Sequence, residues 1–321
     1  MRGLSICIYS EAAEAREGLF GQVFLFLFEL LPYLHSRSIF PAFEIRSALY
    51  GAAPDYITIP GALDLAYDPP EGPYRRVAMS DLREKHCKVL GNDWTELSRI
   101  WHAYFKVPDR VLEQVTSVPV LDKALGVHYR GTDKQTASFD TNPITQDQYL
   151  TLIVEFLSAR PDIELIFAAT DEFSFVGKLR RAVALPIINL GEVSSHKTTT
   201  DIGPQEKADR AVLDCLLLSR CSVALETSSA LPSFAKIFNP RLEIYRCAAS
   251  KLFKDIPYFP VAYIPHIPLT GPEALKILNV TMADDWTTNP KAKRFRKPFS
   301  HAARKRIKSS FWVIAETLIG E

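Results

Sequence analysis

Polar and charged side chains follow an apolar stretch near the middle of the sequence. His128, Arg130, Asp133 and Lys134 all lie in the segment 126–134. A guanidinium in such a loop can bind a pyrophosphate through two parallel hydrogen bonds, and it stays charged at any working pH. The pattern therefore indicates a phosphate-binding loop. The simpler interpretation is that Arg130 and Asp133 pair across a turn.

A second candidate is the serine pair Ser228-Ser229, which follows Leu225 and precedes Pro232. Either serine is suited to cap the start of a helix, and proline is tolerated in the first turn. The unpaired N–H groups of a first helical turn bind anions such as phosphate. The pattern fits a phosphate site, and the simpler interpretation is capping without a ligand, which is the commoner of the two.

Two aspartates complete the set of candidates. Asp171, between Thr170 and Glu172, follows an apolar stretch, where capping of a helix is a strong alternative to ligand binding. Asp214 lies in a segment that is apolar nearly all round, so its carboxylate needs hydrogen-bond donors. Arg210, one turn earlier, could supply them. The other interpretation is a guanine base, which presents two adjacent N–H groups where adenine does not.

A predicted alternation of strands and helices positions these residues. Such an alternation is typical of a parallel sheet with helices on both faces, and ligands bind at the carboxyl ends of its strands. The predicted strands are 124–129, 164–169, 186–190, 222–225 and 242–245, and the predicted helices are 146–159, 172–183, 205–219 and 230–238.

The start of the chain indicates another α/β unit. A strand at Leu4–Tyr9 is followed by Gly18, Gly21 and a long apolar helix that ends near Ser36. Residues 41–75 are rich in proline, glycine and tyrosine and are predicted to be irregular, whereas roughly 80–116 are predicted to be helical. The resulting prediction is a first domain at 1–117, a second domain at 118–290 and a basic helical segment at 291–321.

The composition is that of a globular protein, with 47% hydrophobic and 23% charged residues in 321. It excludes disordered, collagen-like and coiled-coil classes, and the net charge of +1 is unlike that of a generic nucleic-acid binder. Five cysteines form no CxxC pair and no metal-ligand spacing, which favours buried, reduced thiols. No signal peptide is visible, and the most apolar run, Val23–Phe28, is too short to span a bilayer. These features predict a cytoplasmic protein.

The charge is distributed unevenly along the chain. The segment Lys291–Lys308 carries nine Lys or Arg and no acid, which leaves −8 for the remaining residues. An aromatic-aliphatic run, including Phe311 and Trp312, follows it. Such a combination can dock on anionic lipid, and the simpler interpretation is a solvated helix packed across the domain interface. A nucleic-acid site is not expected, because no aromatic platform is interleaved with the charges.

In order and spacing, these segments resemble the GDP-fucose-dependent fucosyltransferases. The likeness is strongest to the α-1,6-fucosyltransferases, including the rhizobial nodulation enzyme, and looser to the α-1,2- and protein O-fucosyltransferases. The family motif His-x-Arg-(Arg)-Thr-Asp-Lys is matched by residues 128–134, with Gly131 in place of the second arginine. Ala-Thr-Asp-Asp is similar to 169–172, Leu-Asp and Leu-Ser to 213–214 and 218–219, and Phe-Ser-Ser to 227–229. The resemblance covers about residues 124–240.

The resemblance implies an α/β fold of the GT-B type, in which two Rossmann-like domains with parallel sheets face a cleft. It implies an inverting, metal-independent glycosyltransferase of glycan biosynthesis that takes L-fucose from GDP-fucose and needs no further cofactor. The donor would bind the second domain and the acceptor the first, and the C-terminal segment would pack back on the first. The implied catalytic residues are Arg130, Asp133 and Lys134, and the implied donor-binding residues are His128, Arg130, Asp171, Asp214, Thr227, Ser228 and Ser229.

The general base and the donor stay open at this point. The α-1,6 enzymes carry a glutamate a few residues after the lysine, whereas residues 135–138 hold no acid, so the base is Asp140, Asp133, Glu17 or none. The chain could instead use another nucleotide sugar, or be a non-catalytic carbohydrate- or lipid-binding homologue. The expected partners are a nucleotide sugar and an oligosaccharide or lipid-linked glycan acceptor, without nucleic acid. The expected location is the cytoplasm, and peripheral membrane contact through 291–321 is one of the two open interpretations of that segment.

Overall fold

The structure is a computed structural model of the chain. It describes residues 5–9, 20–21, 30–47, 51–52, 63–71, 73–78, 81, 94–131, 144–191, 203–227, 229–248 and 262–265. These residues fall into two compact units. The first contains the described residues up to Leu112 and the segment 203–212, and the second contains those from Glu113 to 191 and from Leu213 onward. The domain limits expected from the sequence, near 117 and 290, stay predictions.

The first unit is built around a three-stranded parallel sheet in the order β2-β1-β6. Its strands are β1 (Ser5–Tyr9), β2 (Ala42–Glu44) and β6 (Tyr74–Ala78). Two short antiparallel pairs accompany it, β3 (Arg46–Ser47) with β4 (Gly51–Ala52) and β5 (Asp64–Leu65) with β7 (Phe105–Lys106). The helices in this part of the chain are α1 (Leu31–Ser36), α2 (Trp94–Tyr104) and α3 (Asp109–Thr116).

Two predictions for this part of the chain are wrong in part. Residues 41–75 are not irregular throughout, because β2 is a buried strand of the parallel sheet and is too short to show a periodic pattern. Roughly 80–116 is not continuously helical, because the strand β7 separates α2 from α3. Pro108 follows β7, and a proline disfavours helical backbone at the residue before it.

Aromatic side chains fill the core of the first unit. Trp101 stacks on Phe105 with ring centroids 4.4 Å apart, and Phe43 lies 5.3 Å from Phe105 on the same measure. The buried Tyr104 hydroxyl donates a 2.9 Å hydrogen bond to the Ile39 carbonyl, so its polar end is satisfied. These contacts hold α2 and β7 against β2.

The second unit is built around a six-stranded sheet in the order β10-β9-β8-β11-β12-β13, and all its strand pairs are parallel. The α/β class with parallel sheets is therefore confirmed. The strands are β8 (Ala124–Tyr129), β9 (Leu165–Thr170), β10 (Ile187–Ile188), β11 (Val223–Glu226), β12 (Glu243–Ala248) and β13 (Ala262–Pro265). The helices are α4 (Gln146–Ala159), α5 (Phe173–Ala182), α6 (Pro204–Ser219) and α7 (Ala230–Phe238). None of the described helices is both long and apolar enough to cross a membrane.

Strand β8 is central to this sheet, and all six of its residues are buried. On one face Tyr129 stacks on Phe175 of α5 and on Tyr149 of α4, with ring centroids 4.7 and 5.7 Å away. On the other face a Cβ added at Gly126 would lie 2.9 Å from Leu218 Cδ2 of α6. Glycine at 126 therefore lets α6 approach the strand closely.

Helix α4 begins at a capping box. The Thr145 hydroxyl accepts a hydrogen bond from the Gln148 N–H at 3.2 Å, and the Gln148 side chain accepts one from the Thr145 N–H at 3.0 Å. Reciprocal bonds of this kind satisfy donors that a helix start otherwise leaves unpaired. The cap fixes the position of Gln146, the first residue of α4, which contacts the candidate site described next.

Candidate functional site

Three neighbouring strands of the second sheet end at one edge, and each is followed by a residue that the sequence singles out. Arg130 follows β8, Asp171 follows β9 and Thr227 follows β11. The strand order β9-β8-β11 makes these three ends adjacent. The structure therefore brings Arg130, Asp171 and Thr227 together at the carboxyl edge of a parallel sheet, where ligands bind in such folds.

Hydrogen bonds between these strand ends fix the backbone on both sides of Arg130. The Arg130 N–H donates to the Thr227 hydroxyl at 3.0 Å, and the Thr227 N–H donates to the His128 carbonyl at 3.1 Å. The Gly131 N–H donates to the Asp171 carboxylate at 3.1 Å. Thr227 and Asp171 thus hold the loop that carries Arg130, and their expected contact with a donor stays a prediction.

His128 carries a neutral imidazole at this edge. Its side chain is only 5% exposed, and its Nδ1 atom has no hydrogen-bond partner among the described residues. Burial, and then the positive charge of Arg130, lower the pKa of His128 from its usual 6.5 to about 3. The imidazole is therefore uncharged near neutral pH, and it lies close enough to Arg130 for the two side chains to influence each other.

Helix α7 begins at Ser229, one of the two serines expected to cap it. The Ser229 side chain makes no capping hydrogen bond, and its hydroxyl oxygen is buried without a partner among the described residues. The residue is only 2% exposed. Capping by Ser229 is therefore excluded by this geometry, and a buried hydroxyl is left beside the first turn of a helix. Such a group gains free energy when a ligand supplies its partner.

A buried glutamate at the end of β11 was not identified from the sequence. Glu226 is fully buried, and each of its carboxylate oxygens lies 2.9 Å from the Ser233 hydroxyl of α7. The same hydroxyl lies 3.2 Å from the Ser229 carbonyl. Glu226 and Ser233 together fix the first turn of α7 relative to β11. A charged residue inside the otherwise apolar strand Val223–Glu226 was the available signal.

Asp214 lies in the buried part of α6 that belongs to the second unit. Its side chain is 3% exposed. The thiol of the next residue, Cys215, donates to the Leu231 carbonyl in the first turn of α7 at 3.3 Å. Asp214 is therefore one residue away from a direct contact between α6 and the start of α7. A contact of the Asp214 carboxylate with a nucleotide base stays a prediction.

A second carboxylate, Glu172, lies next to the loop after β8. It accepts a hydrogen bond from the Gln146 side-chain amide, and its own N–H donates to the Thr170 hydroxyl at 3.0 Å. A Cβ added at Gly131 would collide with the Glu172 carboxylate. Burial, followed by the charges of Glu172 and Asp171, raises the pKa of the neighbouring Tyr129 phenol to about 12. Glu172 thus occupies the space into which any side chain at 131 would extend.

The sheet of the first unit has its own polar cluster at the carboxyl edge. Glu44 ends β2 and pairs with Arg76 of β6 at 2.6 Å, with only 13% of the Glu44 side chain exposed. The Arg76 guanidinium also lies 4.7 Å from the centre of the Tyr9 ring at the end of β1. Burial, followed by the charge of Glu44, raises the pKa of the nearby Cys7 thiol. This cluster was not predicted, because β2 was not recognised as a strand.

Several expected site residues lie outside the described residues: Asp133, Lys134, Ser228, the base candidates Asp140 and Glu17, and the basic segment 291–321. Within the described residues no three His, Cys, Asp or Glu side chains come together in a way that could hold a metal ion.

Comparisons with known proteins give matches only among solved structures. No protein-family model matches the sequence, and no curated protein matches it. The crystal structure of NodZ alpha-1,6-fucosyltransferase soaked with GDP-fucose is 11% identical, with a TM-score of 0.42 over 73% of this chain and 92% of NodZ. A structure of fucosyltransferase NodZ from Bradyrhizobium is 10% identical, with a TM-score of 0.42 over 73% of this chain and 93% of that one.

POFUT1 in complex with GDP-fucose is 12% identical, with a TM-score of 0.37 over 53% of each chain. The match thus spans about half the length of POFUT1 in that complex. Sequence identities and TM-scores as low as these assign no function to the chain. The solved structures to which this chain is similar include a fucosyltransferase and a protein crystallised with GDP-fucose.

Proposed function

We propose that the protein is a glycosyltransferase that transfers L-fucose from GDP-fucose to a glycan acceptor, with inversion and without a metal ion. One observation carries this proposal. Among the described residues the Ser229 hydroxyl, buried at the start of α7 in the same unit as Arg130, has no hydrogen-bond partner. A hydroxyl in that position, next to the unpaired N–H groups of a first helical turn, suits a phosphate oxygen.

The diphosphate of the donor would lie between Arg130 and the start of α7. The Arg130 guanidinium binds the β-phosphate, while the Ser229 hydroxyl and the first-turn N–H groups bind further phosphate oxygens. The backbone of Arg130 is held by Thr227, which directly precedes the serine pair. Both halves of the phosphate site are therefore tied to one strand end, so little rearrangement is needed on binding.

Asp214 would bind the guanine base of the nucleotide. Its carboxylate accepts hydrogen bonds from the two adjacent N–H groups that guanine presents, an arrangement that uracil, cytosine and adenine do not offer. The contact between Cys215 and Leu231 ties the Asp214 segment of α6 to α7. The same helix start would then serve both the phosphates and the base, which supports a guanine nucleotide as the ligand.

The reaction is a direct displacement at the anomeric carbon. An acceptor hydroxyl oxygen forms a bond to the anomeric carbon. At the same time the bond between the anomeric carbon and the β-phosphate oxygen breaks, and its electron pair leaves with GDP. Attack from the opposite face inverts the configuration. The hydroxyl proton goes to Asp140, Asp133 or Glu17, or to the departing GDP. Arg130 stabilises the negative charge that develops on the β-phosphate, the role that a metal ion has in other transferases.

His128 suits this chemistry because it is neutral. An uncharged imidazole can donate a hydrogen bond to the donor without adding a second full positive charge beside Arg130. An oligosaccharide or lipid-linked glycan acceptor belongs to the same proposal and is supported by the family resemblance. A cytoplasmic location with membrane contact through 291–321 belongs to it too, and the charge pattern of that segment supports it.

Calorimetric titration with GDP, UDP, ADP and CMP, with and without EDTA, tests the proposal on the wild-type chain and on Arg130→Ala. We expect binding of GDP only, unchanged by EDTA and weakened at least tenfold in Arg130→Ala, because a charge-assisted hydrogen bond to phosphate is lost. Arg220→Ala is a matched control that removes a guanidinium from the same unit, where Arg220 bonds the Val115 carbonyl at 3.2 Å.

The other outcomes separate the alternatives. Preference for UDP would keep a glycosyltransferase but exclude fucose from GDP-fucose and the pairing of Asp214 with guanine. Loss of binding in EDTA would contradict metal independence. Absence of nucleotide binding would favour a non-catalytic carbohydrate- or lipid-binding protein.

A further inference from the structure

An exposed aromatic residue begins the helix that follows β9, at the sheet edge that carries Arg130. Phe173, the first residue of α5, is 54% exposed and directly follows Glu172. A single exposed apolar side chain is ordinary on a protein surface. This one is informative because its neighbour is a carboxylate held against the Arg130 loop, at the edge where β8 and β9 end.

The Glu172 carboxylate is fixed in place by neighbouring groups. Gln146 donates to it from the start of α4, and the same amide lies 3.1 Å from the Ser174 hydroxyl of α5. A 2.8 Å ion pair between Lys178 and Asp147 joins the same two helices. Because α4 and α5 are linked at these points, Glu172 is presented in one orientation and loses little conformational entropy on binding a ligand.

Gly131 lies directly beside the Glu172 carboxylate, in the loop that carries Arg130. A Cβ at this position would collide with the Glu172 carboxylate and lie 2.6 Å from Tyr129 Cε1. The absence of a side chain at 131 therefore allows the carboxylate to lie directly beside the backbone that follows Arg130. Glu172 is half-buried, so it remains partly accessible from this edge.

The charge of Glu172 indicates what it can contact. A carboxylate repels a phosphate, so a ligand whose phosphates lie at Arg130 would place a neutral part against Glu172. A sugar ring is neutral, and its hydroxyl groups are hydrogen-bond donors that an ionised carboxylate accepts. The same ring has an apolar C–H face, which packs well against an aromatic side chain.

We propose that Glu172 and Phe173 bind the pyranose ring of the nucleotide sugar. Glu172 accepts hydrogen bonds from ring hydroxyl groups, and the Phe173 ring covers the C–H face of the sugar. This inference rests on the proposed function, because it assigns the sugar end of the same donor whose phosphates lie at Arg130 and Ser229. It makes the two residues determinants of donor-sugar specificity.

The test compares the affinities for GDP, GDP-fucose and GDP-mannose by calorimetry. We expect Glu172→Gln to weaken GDP-fucose binding about tenfold and leave GDP binding unchanged, because the lost hydrogen bond is to a charged acceptor. Phe173→Ala should weaken GDP-fucose binding about fivefold, again without effect on GDP. Each variant should also change the ratio of the affinities for the two sugar nucleotides.

Two matched controls keep these results specific. Glu164→Gln removes the same charge just before β9, at the other end of that strand, and Val154→Ala truncates an exposed apolar side chain of α4. Both should bind all three nucleotides as the wild type does. Gly131→Ala tests the same site in a second way, because the added methyl group displaces the Glu172 carboxylate. It should weaken GDP-fucose binding as Glu172→Gln does.

The inference is overturned if GDP-fucose affinity is unchanged in Glu172→Gln and Phe173→Ala, or if GDP affinity falls equally. Either result leaves the proposed function intact as long as the wild type binds GDP. If the wild type binds no GDP, the proposed function fails, and the sugar site fails with it.

Discussion

The buried His128 lowers the free energy of unfolding by an amount that depends on pH. The folded protein keeps its imidazole neutral down to a pKa of about 3, whereas the unfolded chain binds a proton near the usual 6.5. Between these values the unfolded state holds more protons, so the free energy of unfolding falls as the pH falls. Above pH 6.5 neither state is protonated and the cost disappears. A buried histidine beside an arginine thus makes the protein less stable below neutral pH.

His128→Gln should therefore flatten the pH dependence of stability. From pH 7 to pH 5 the wild type should lose about 2 kcal/mol of unfolding free energy through this residue, and the variant should not. Urea denaturation at the two pH values measures the difference. His102→Gln changes an exposed imidazole on α2 and should keep the wild-type profile. Equal pH slopes in His128→Gln and the wild type would contradict the prediction.

At the scale of single residues, the sequence predicted which side chains lie at the strand ends but not which groups they contact. Arg130, Asp171 and Thr227 were placed correctly at adjacent strand ends because buried strands and the loops after them have a clear pattern. Asp171 and Thr227 accept hydrogen bonds from backbone N–H groups, which depends on the alignment of separate strands. That alignment is a long-range property, and no local spacing encodes it. Glu226 was missed for a different reason, because the predicted strand 222–225 stopped one residue before it.

At the scale of elements, the site is a junction of β8, β11 and α7. Thr227 links the first two strands, because its hydroxyl accepts from the Arg130 N–H while its own N–H donates to the His128 carbonyl. The Ser233 hydroxyl then links α7 to the end of β11. The proposed phosphate site depends on the junction being rigid, since its donors come from different elements.

Thr227→Val should weaken this junction without changing its volume. The Arg130 N–H would lose its acceptor, which should cost about 1–2 kcal/mol of unfolding free energy and weaken GDP binding several-fold. Thr227→Ser keeps the hydroxyl and should retain most of both. Urea denaturation and GDP calorimetry on the two variants provide the comparison. Similar losses in both variants would show that the methyl group, rather than the hydrogen bond, is important.

The sequence predicted most elements of the second unit well but missed most strands of the first unit, including β6. β8, α4 and α7 have the predicted bounds, because each combines a buried pattern with a clear start or end. β2 and β5 were missed, since strands of three and two residues have no period to detect. β13 was missed as well, in a region of the sequence where no strand was expected.

At the scale of the whole molecule, buried thiols occur in both units. Cys7 lies in β1, and Cys215, Cys221 and Cys247 lie in α6, just before β11 and in β12. All four are free and buried, which confirms that expectation for the described cysteines. Burial raises the pKa of each thiol, so little reactive thiolate forms near neutral pH.

Labelling with Ellman's reagent should therefore report on unfolding of both units. In a Cys87→Ser background the native protein should show no rapidly reacting thiol, and four should react once urea unfolds the chain. The labelling rate at intermediate urea should follow the loss of circular dichroism. One thiol that reacts at the unfolded rate in the native protein would mean that one of the two cores opens readily.

The collision between a Cβ at Gly131 and the Glu172 carboxylate also bears on how the site could change over time. An arginine introduced at 131, as in the fucosyltransferase motif, would meet an occupied space, so that single step should be harmful. Shortening Glu172 first would remove this collision, although a Cβ at 131 would still lie 2.6 Å from Tyr129 Cε1 and would require a shift of that ring. The effect of a side chain at 131 thus depends on the side chain at 172, so a substitution at 172 made first would lessen the cost of one at 131.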